Sequence, residues 1–305
     1  MTALILRRLL LSALVALTVS MVVFGVLRLS GDLAITLAGE RASEAVIQEI
    51  RIQYGLDRSL PIQYAAWLGD LLRGNFGNSY YTNEPVGQLL ADKLPITATL
   101  GLAAIVLAIA VAVPLGVAAA VWPNTWIDRS CQGLALIGQA MPAFWLSLLL
   151  MLLFAVQLRW LPVSGTGTWK HFVMPTLALS TYAIPAIMRL TRGGMIEVLQ
   201  SDYVRMARAK GLPGRTVVFK HALRNALLPV VALTAVQLGF MLGGSVVIES
   251  VFALQGVGYL AWESILRNDF IVVQAIVLML SLFYVLLTFL ADLVNAWLDP
   301  RLRAH

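Results

Sequence analysis

Six stretches of the chain carry no charged side chain: Leu9–Leu27, Ile96–Trp122, Ser130–Leu158, His171–Met188, Asn225–Ile248 and Phe270–Ala291. A helix needs about 20 predominantly apolar residues to cross the hydrocarbon of a bilayer, so each stretch predicts a membrane span, and an even number of spans puts both termini on one side. Residues 28–95, between the first two spans, are amphipathic. Ser43 is positioned to cap a helix whose Val46, Ile50 and Tyr54 share a face, with Gly55 as its stop; Pro61 opens a second helix carrying Trp67, Leu68 and Leu71 before Gly74, and Pro85 starts a third, short one leading to Leu94-Pro95. The pattern admits both a packed cap and helices lying on the headgroups. Residues 189–224 form the second polar segment, where Asp202 caps and Gly211 ends a short helix of about three turns.

Composition agrees with the pattern. Of 305 residues, 59% are hydrophobic and 12% charged, and the mean hydropathy of +0.82 excludes a soluble globule. The first span follows Arg7-Arg8 and is long for a cleavable signal, with no small-x-small site before Arg28. Basic residues then set the orientation: Arg7, Arg8, Arg129, those of 189–224, Arg301 and Arg303 fall on one side, against Arg159, Lys170 and Arg267 in the short opposite loops. The first side is therefore cytoplasmic. The net charge of +6 follows from this asymmetry and from anionic lipid, not from nucleic-acid binding.

Catalytic and coupling chemistry is sparse. The chain has no G-x-x-x-x-G-K-[ST] loop, no catalytic constellation, a single Cys131, and three histidines (His171, His221, His305) without metal-ligand spacing. Asp292, just past the last span, is expected to pair with Arg189 or Arg192. An ion-coupled carrier places ionisable groups near the midplane, and the spans offer almost none. If the chain moves a solute against a gradient, the energy must come from elsewhere. On the fifth span, Gly239 and Gly243 form a small-xxx-small seam, while Thr234, Gln237, Gly244 and Ser245 are candidate lining of a weakly polar pathway. Pro114, Pro142 and Pro185 are expected to interrupt their helices.

Two runs then carry a family resemblance: Asp202-Tyr-Val-Arg-Met-Ala-Arg-Ala-Lys-Gly-Leu212 and His221-Ala-Leu-Arg-Asn-Ala-Leu-Leu-Pro229. They resemble the coupling loop of permease subunits of binding-protein-dependent ABC importers, in the dipeptide, oligopeptide and nickel branch. Tyr54-Gly-Leu-Asp57, Gly74-Asn-Phe-Gly77, Leu94-Pro-Ile-Thr97, Met141-Pro-Ala-Phe144, Trp160-Leu-Pro162, Glu249-Ser-Val-Phe252, Gly256-Val-Gly258 and Asp299-Pro-Arg301 follow in the family's order. Two places depart from it. Of the Glu-Ala-Ala-x-x-x-Gly pattern of the wider importer class only Ala207 and Gly211 remain, and Ser30-Gly-Asp-Leu33 stands where the family commonly has Pro-Gly-Asp-Pro.

The resemblance implies an all-α integral membrane protein with the type I importer permease fold. Its partners would be a second, homologous permease, two cytoplasmic ATPases and an external solute-binding protein. ATP and Mg would be bound by the ATPases, and no cofactor by this chain. The cargo would be di- or oligopeptides, with nickel or a nickel chelate as the alternative. Asp202, Tyr203, Arg205, Ala207, Arg208, Ala209, Lys210 and Gly211 would be the residues that meet an ATPase.

Overall fold

A computed structural model describes residues 2–29, 32–39 and 42–298. The Ser30-Gly31 and Asp299-Pro-Arg301 motifs, with Arg303 and His305, lie outside the described residues. Helix α1 (Thr2–Leu29) is followed by three outer helices, α2 (Leu33–Ala38), α3 (Glu44–Gln53) and α4 (Leu60–Leu72). Asp32 accepts from the Ala34 amide at the start of α2 and pairs with Arg51 of α3. Ser43 stands at the N-cap of α3, though its side chain bonds nothing there. Gly55 and Gly74 take left-handed φ of 62° and 79° beyond α3 and α4, as required of residues that end helices. Neither α3 nor α4 buries a residue completely. Helix α4 leans on α1 through Tyr64 and Trp67 against Phe24, and through the Tyr64 hydroxyl 2.7 Å from Ser20 Oγ.

The third outer helix differs from expectation. Pro85 opens α5 (Val86–Val121), 36 residues that run unbroken through Pro95 and Pro114 into the second span. Each proline removes one backbone bond, but the bonds on either side remain and the buried face of α5 holds the helix in place. Pro142 does interrupt: α6 (Trp126–Ala140) and α7 (Ala143–Leu150, continuing as a π-helix over Met151–Gln157) meet at 99°. Helices α8 (Lys170–Ser180) and α9 (Ile184–Leu199) meet at 55°, with Pro185 inside the first turn of α9, where a missing N–H is harmless. The chain then forms α10 (Asp202–Ala209), α11 (Gly214–Thr216), a π-helix over Val217–Ala222, α12 (Leu223–Ala226), α13 (Leu228–Phe252), α14 (Val257–Leu266) and α15 (Phe270–Leu298). Among the described residues, Leu6–Leu29, Val86–Val121 and Phe270–Val294 are long and apolar enough to cross a membrane alone, and the bent pairs supply the remaining candidates.

The core lies where α5 meets α8, α9 and α13. Ala104, Ala108, Ala112, Gly116 and Ala120, four residues apart on α5, are all buried, and the first three pack with Met174, Ala178, Leu179, Ile187 and Met188. A Cβ on Gly116 would sit 2.7 Å from the Met188 carbonyl oxygen and 2.8 Å from Thr191 Cβ. Gly239 plays the same part between α13 and α15, where a Cβ would meet Tyr284 at 2.5 Å. Gly243 does not extend that seam, because nothing lies within 4 Å of the corresponding position. The two glycines are four residues apart, but α15 crosses at only one of them. At the opposite ends of α1 and α15, Arg8 donates to Asp292 at 2.5 Å. Asp292 thus pairs across the termini rather than with Arg189 or Arg192, which are engaged on α6.

The same substitution should act with opposite sign at two glycines. Gly116→Ala should force α5 and α9 apart and destabilise by about 1–3 kcal/mol. Gly133→Ala, facing open space inside α6, should stabilise by up to about 1 kcal/mol. Thermal unfolding in detergent reads both; equal shifts would remove the close contact as a determinant.

Candidate functional site

Helix α10 projects from the helical body, and its pattern explains how it is held. Val204 and Ala207, three residues apart, are buried with Val217 and packed on Val198 and Leu199 at the end of α9. The opposite face carries Asp202, Tyr203, Arg205, Arg208, Ala209 and Lys210, all exposed. Ser201 rather than Asp202 occupies the N-cap; Asp202 is the first helical residue, where its charge favours the helix N-terminus. The helix has 8 residues, about two turns rather than three.

Its C-terminus closes with a paired set of bonds. The Gly211 amide donates to the Arg208 carbonyl at 3.0 Å, the Leu212 amide to the Ala207 carbonyl at 3.3 Å, and Gly211 takes a φ of 76°. This is the double-bonded glycine stop of a Schellman motif. Tyr203 is not free: its hydroxyl accepts from Asn225 Nδ2 at 2.7 Å, which ties α10 to α12. Ala207, expected on the outer face with Ala209, instead faces inward and anchors the helix. Arg205 and Asp202 make an exposed pair at 3.4 Å that adds little.

Below the peg the packing is continuous. Val198 and Leu199 touch both the α10 anchor and a second cluster in which Val117 and Ala120 of α5 meet Met195 of α9 and Ala222 and Ala226. Beside it Asp128 is 1% exposed and accepts two bonds from Arg192, Nε at 2.8 Å and Nη2 at 2.7 Å. The Asn124 amide and Gln132 Nε2 complete its shell at 2.9 and 2.7 Å. Arg189 donates to Gln139 Oε1 at 3.0 Å. Two arginines of α9 thus bind α6, and the sequence alone gave no sign of either partnership.

The candidate pathway residues do not share one environment. Thr234 and Gln237 are half-buried on α13, with the Thr234 hydroxyl donating to the Val230 carbonyl at 2.8 Å. Ser245 is 1% exposed, and its hydroxyl is used by the Leu242 carbonyl at 2.9 Å, so it does not face an open cavity in this chain. The side of Gly244 lies outside the described residues.

Four residues past Ser245 is a carboxylate that the charge-free stretches excluded. Glu249 is fully buried because α13 continues to Phe252. It accepts from Thr97 Oγ1 at 2.8 Å and from the Tyr259 amide at 3.0 Å, while Thr97 accepts from the Val257 amide at 2.8 Å. Gly256 lacks a Cβ of necessity, since one would lie 2.4 Å from Glu249 Oε2. The neighbouring Glu249 and Gly256-Val-Gly258 motifs carried this signal, yet only the fold shows that α5, α13 and α14 meet on one carboxylate.

Known proteins resemble this chain over most of its length. The family model for binding-protein-dependent transport system inner membrane components matches residues 112–304, and the model of its N-terminal part matches residues 1–101. A glutathione transport system permease protein, GsiC, of Pectobacterium atrosepticum is 42% identical over 275 residues, 90% of each chain. A probable peptide ABC transporter permease protein of Sinorhizobium fredii is 39% identical over 98% of each. A putative peptide transport system permease protein of Brucella abortus is 38% identical over 99% of each. Among solved structures, the MetNI methionine ABC transporter in an inward-facing conformation superposes with a TM-score of 0.60 at 19% identity, over 70% of this chain and 97% of that one.

Removing one partner of the Asp128–Arg192 pair should cost about 3–5 kcal/mol, because it leaves a buried charge uncompensated. Arg192→Met alone should lower the unfolding temperature sharply, and adding Asp128→Leu should restore most of it. Losses that simply add in the double variant would show that the two side chains do not act as a pair.

Proposed function

The chain belongs to the inner membrane components of binding-protein-dependent transport systems, and from that membership we propose that it is the permease subunit of an ATP-driven importer of di- or oligopeptides. The observation that carries the mechanism is α10: a short polar helix held from inside by Val204 and Ala207 and continuous in packing with α5 and α9. The names of the glutathione and peptide permeases among its relatives support the cargo. The permease itself contributes a conduit, not catalysis. ATP and Mg belong to two cytoplasmic ATPases, a second homologous permease completes the pathway, and a solute-binding protein delivers peptide from outside. The distribution of basic residues supports a cytoplasmic position for both termini and α10.

In this mechanism the exposed Arg205, Arg208, Ala209 and Lys210 seat α10 in a groove of an ATPase. ATPase closure moves the peg, and because Gly211 and Tyr203 fix its two ends, the motion passes to α9 and α5 rather than into loop torsions. Thr234 and Gln237, on α13, line the translocation cavity formed with the second permease.

Gly211→Val tests the transmission. No neighbouring atom obstructs a Cβ there, so the cost is backbone strain of about 1–2 kcal/mol at the helix stop plus a branched side chain at the contact. In liposomes containing the complete complex, alanyl-alanine uptake and hydrolysis stimulated by loaded binding protein should fall together, with insertion unchanged. Hydrolysis that stays fully stimulated would exclude α10 as the transmitting element.

A second measurement addresses the conduit. With Cys131 replaced, Gln237→Cys should react with a small water-soluble maleimide at rates that depend on the nucleotide state of the ATPases. Absence of labelling in every state would remove Gln237 from the pathway.

A further inference from the structure

At the inner end of α5 a groove of about 650 Å³ runs between that helix and residues 214–223, the segment that follows α10. Val113, Val117, Val218 and Leu223 form its floor, where they pack in the cluster that joins α5 to α9. Trp122 and Phe219 extend the apolar wall at 51% and 59% exposure. The charged lining is Arg208 of α10 and Arg215 of α11, and no carboxylate faces them in the groove. Neither guanidinium makes a hydrogen bond or an ion pair with a described residue.

The direction of the groove follows from α9. Val217 packs on Val198 and Leu199 at the inner end of that helix, whereas the Ala226 carbonyl lies 3.1 Å from the position of a Cβ on Gly194, one turn farther toward the spans. The 214–226 segment therefore rises from the tip of α9, with Arg215 at its inner end, and Arg208 belongs to the helix packed on that same tip. Along α5 the groove covers residues 113–122, the end of the apolar stretch Ile96–Trp122. Ten residues rise about 15 Å, half the hydrocarbon thickness of a bilayer and so the depth of one leaflet. A tryptophan closes that end, the side chain favoured at the headgroup boundary. An apolar trough one leaflet deep, ending in two unpaired guanidinium groups, matches an acyl chain joined to an anionic phosphate, for which the fork of an arginine is suited.

We propose that this groove binds one anionic phospholipid, with an acyl chain between α5 and the 214–223 segment and its phosphate between Arg208 and Arg215. One arginine stands on each side of the turn between α10 and α11, so a shared phosphate would hold the peg against the segment that returns to the spans. The site lies apart from the conduit on α13, and its occupancy depends neither on the peptide cargo nor on the side of the membrane that α10 faces.

Photolabelling of the detergent-purified ATPase–permease complex tests it, with dioleoyl phosphatidylglycerol carrying a diazirine in one acyl chain as the probe. Labelling of this chain should saturate and map to residues 113–122 and 214–223. Unlabelled phosphatidylglycerol should displace the probe, and phosphatidylcholine, whose phosphate is balanced by its own ammonium group, should do so at least about fivefold less effectively. Arg215→Gln should weaken the probe by about the same factor, while Arg215→Lys, which keeps the charge, retains most of the affinity. Phe219→Asp should weaken it as well, by setting a charge against the acyl chain. Both positions are exposed, so the unfolding temperature should hold in all three variants. Equal displacement by the two lipids, labels confined to other segments, or affinities within about twofold of the parent in both the Gln and the Asp variant would overturn the proposal. Absence of saturable labelling would leave the groove to a partner subunit and overturn it equally.

Discussion

Close approach of α5 to α9 is the constraint on which the rest of this structure depends. Lipid is as apolar as a leucine side chain, so helices in a bilayer gain little by hiding apolar surface from one another and must instead gain by fitting closely. Ala104, Ala108, Ala112, Gly116 and Ala120 provide the fit, since four-residue spacing stacks them along one side of α5. At Gly116 not even a methyl group could be added without moving the Met188 carbonyl. Once α9 is fixed, so is everything mounted on its inner end: Arg192 on Asp128, Leu199 under Val217, and α10, which begins three residues after α9 ends.

Polar groups inside this body act as pins rather than as chemistry. Asp128 has a guanidinium, an amide N–H and a carboxamide around it, and Glu249 a hydroxyl and an amide N–H. A charge in such surroundings is costly unless each lone pair is used, which makes the geometry of its partners strict. Asp269 repeats the device at the outer end, where Ser79 donates to it at 2.5 Å and holds the 75–83 loop over α15. Each pin joins segments far apart in sequence.

That separation explains what could be read from the sequence. Local features were legible: the glycine stops at 55, 74 and 211 and the apolar runs of the spans, but not the inward face of α10, since Ala207, expected on its outer face, is buried. Gly211 could be read because a helix stop involves only neighbouring residues. The contacts of Glu249 with Thr97 and of Arg192 with Asp128 depend on which helices become neighbours, and no local pattern states that. Boundaries failed where tertiary packing overrode a local rule. Pro114 would stop a solvated helix, but inside a packed span the helix continues, and the last charge-free position, Ile248, is not the end of α13, because a carboxylate with its own partners can be carried inward.

The lever these contacts create is α5 itself. It spans about 54 Å at the usual rise of an α-helix, from its outer end beside α14 to its inner end beneath α10. Its outer part is gripped by Glu249 through Thr97, and its inner part by α9 through the small-residue stripe. α13 is joined to both systems, holding Glu249 at one point and receiving Tyr284 of α15 against Gly239 at another. Helix α10 is joined to the end of α9 through Val204, Ala207 and Val217, packed on Val198 and Leu199. On the proposed mechanism a displacement of α10 would pass to α5 and α9, and Thr234 and Gln237, half-buried on α13, are the residues proposed to line the path it would alter.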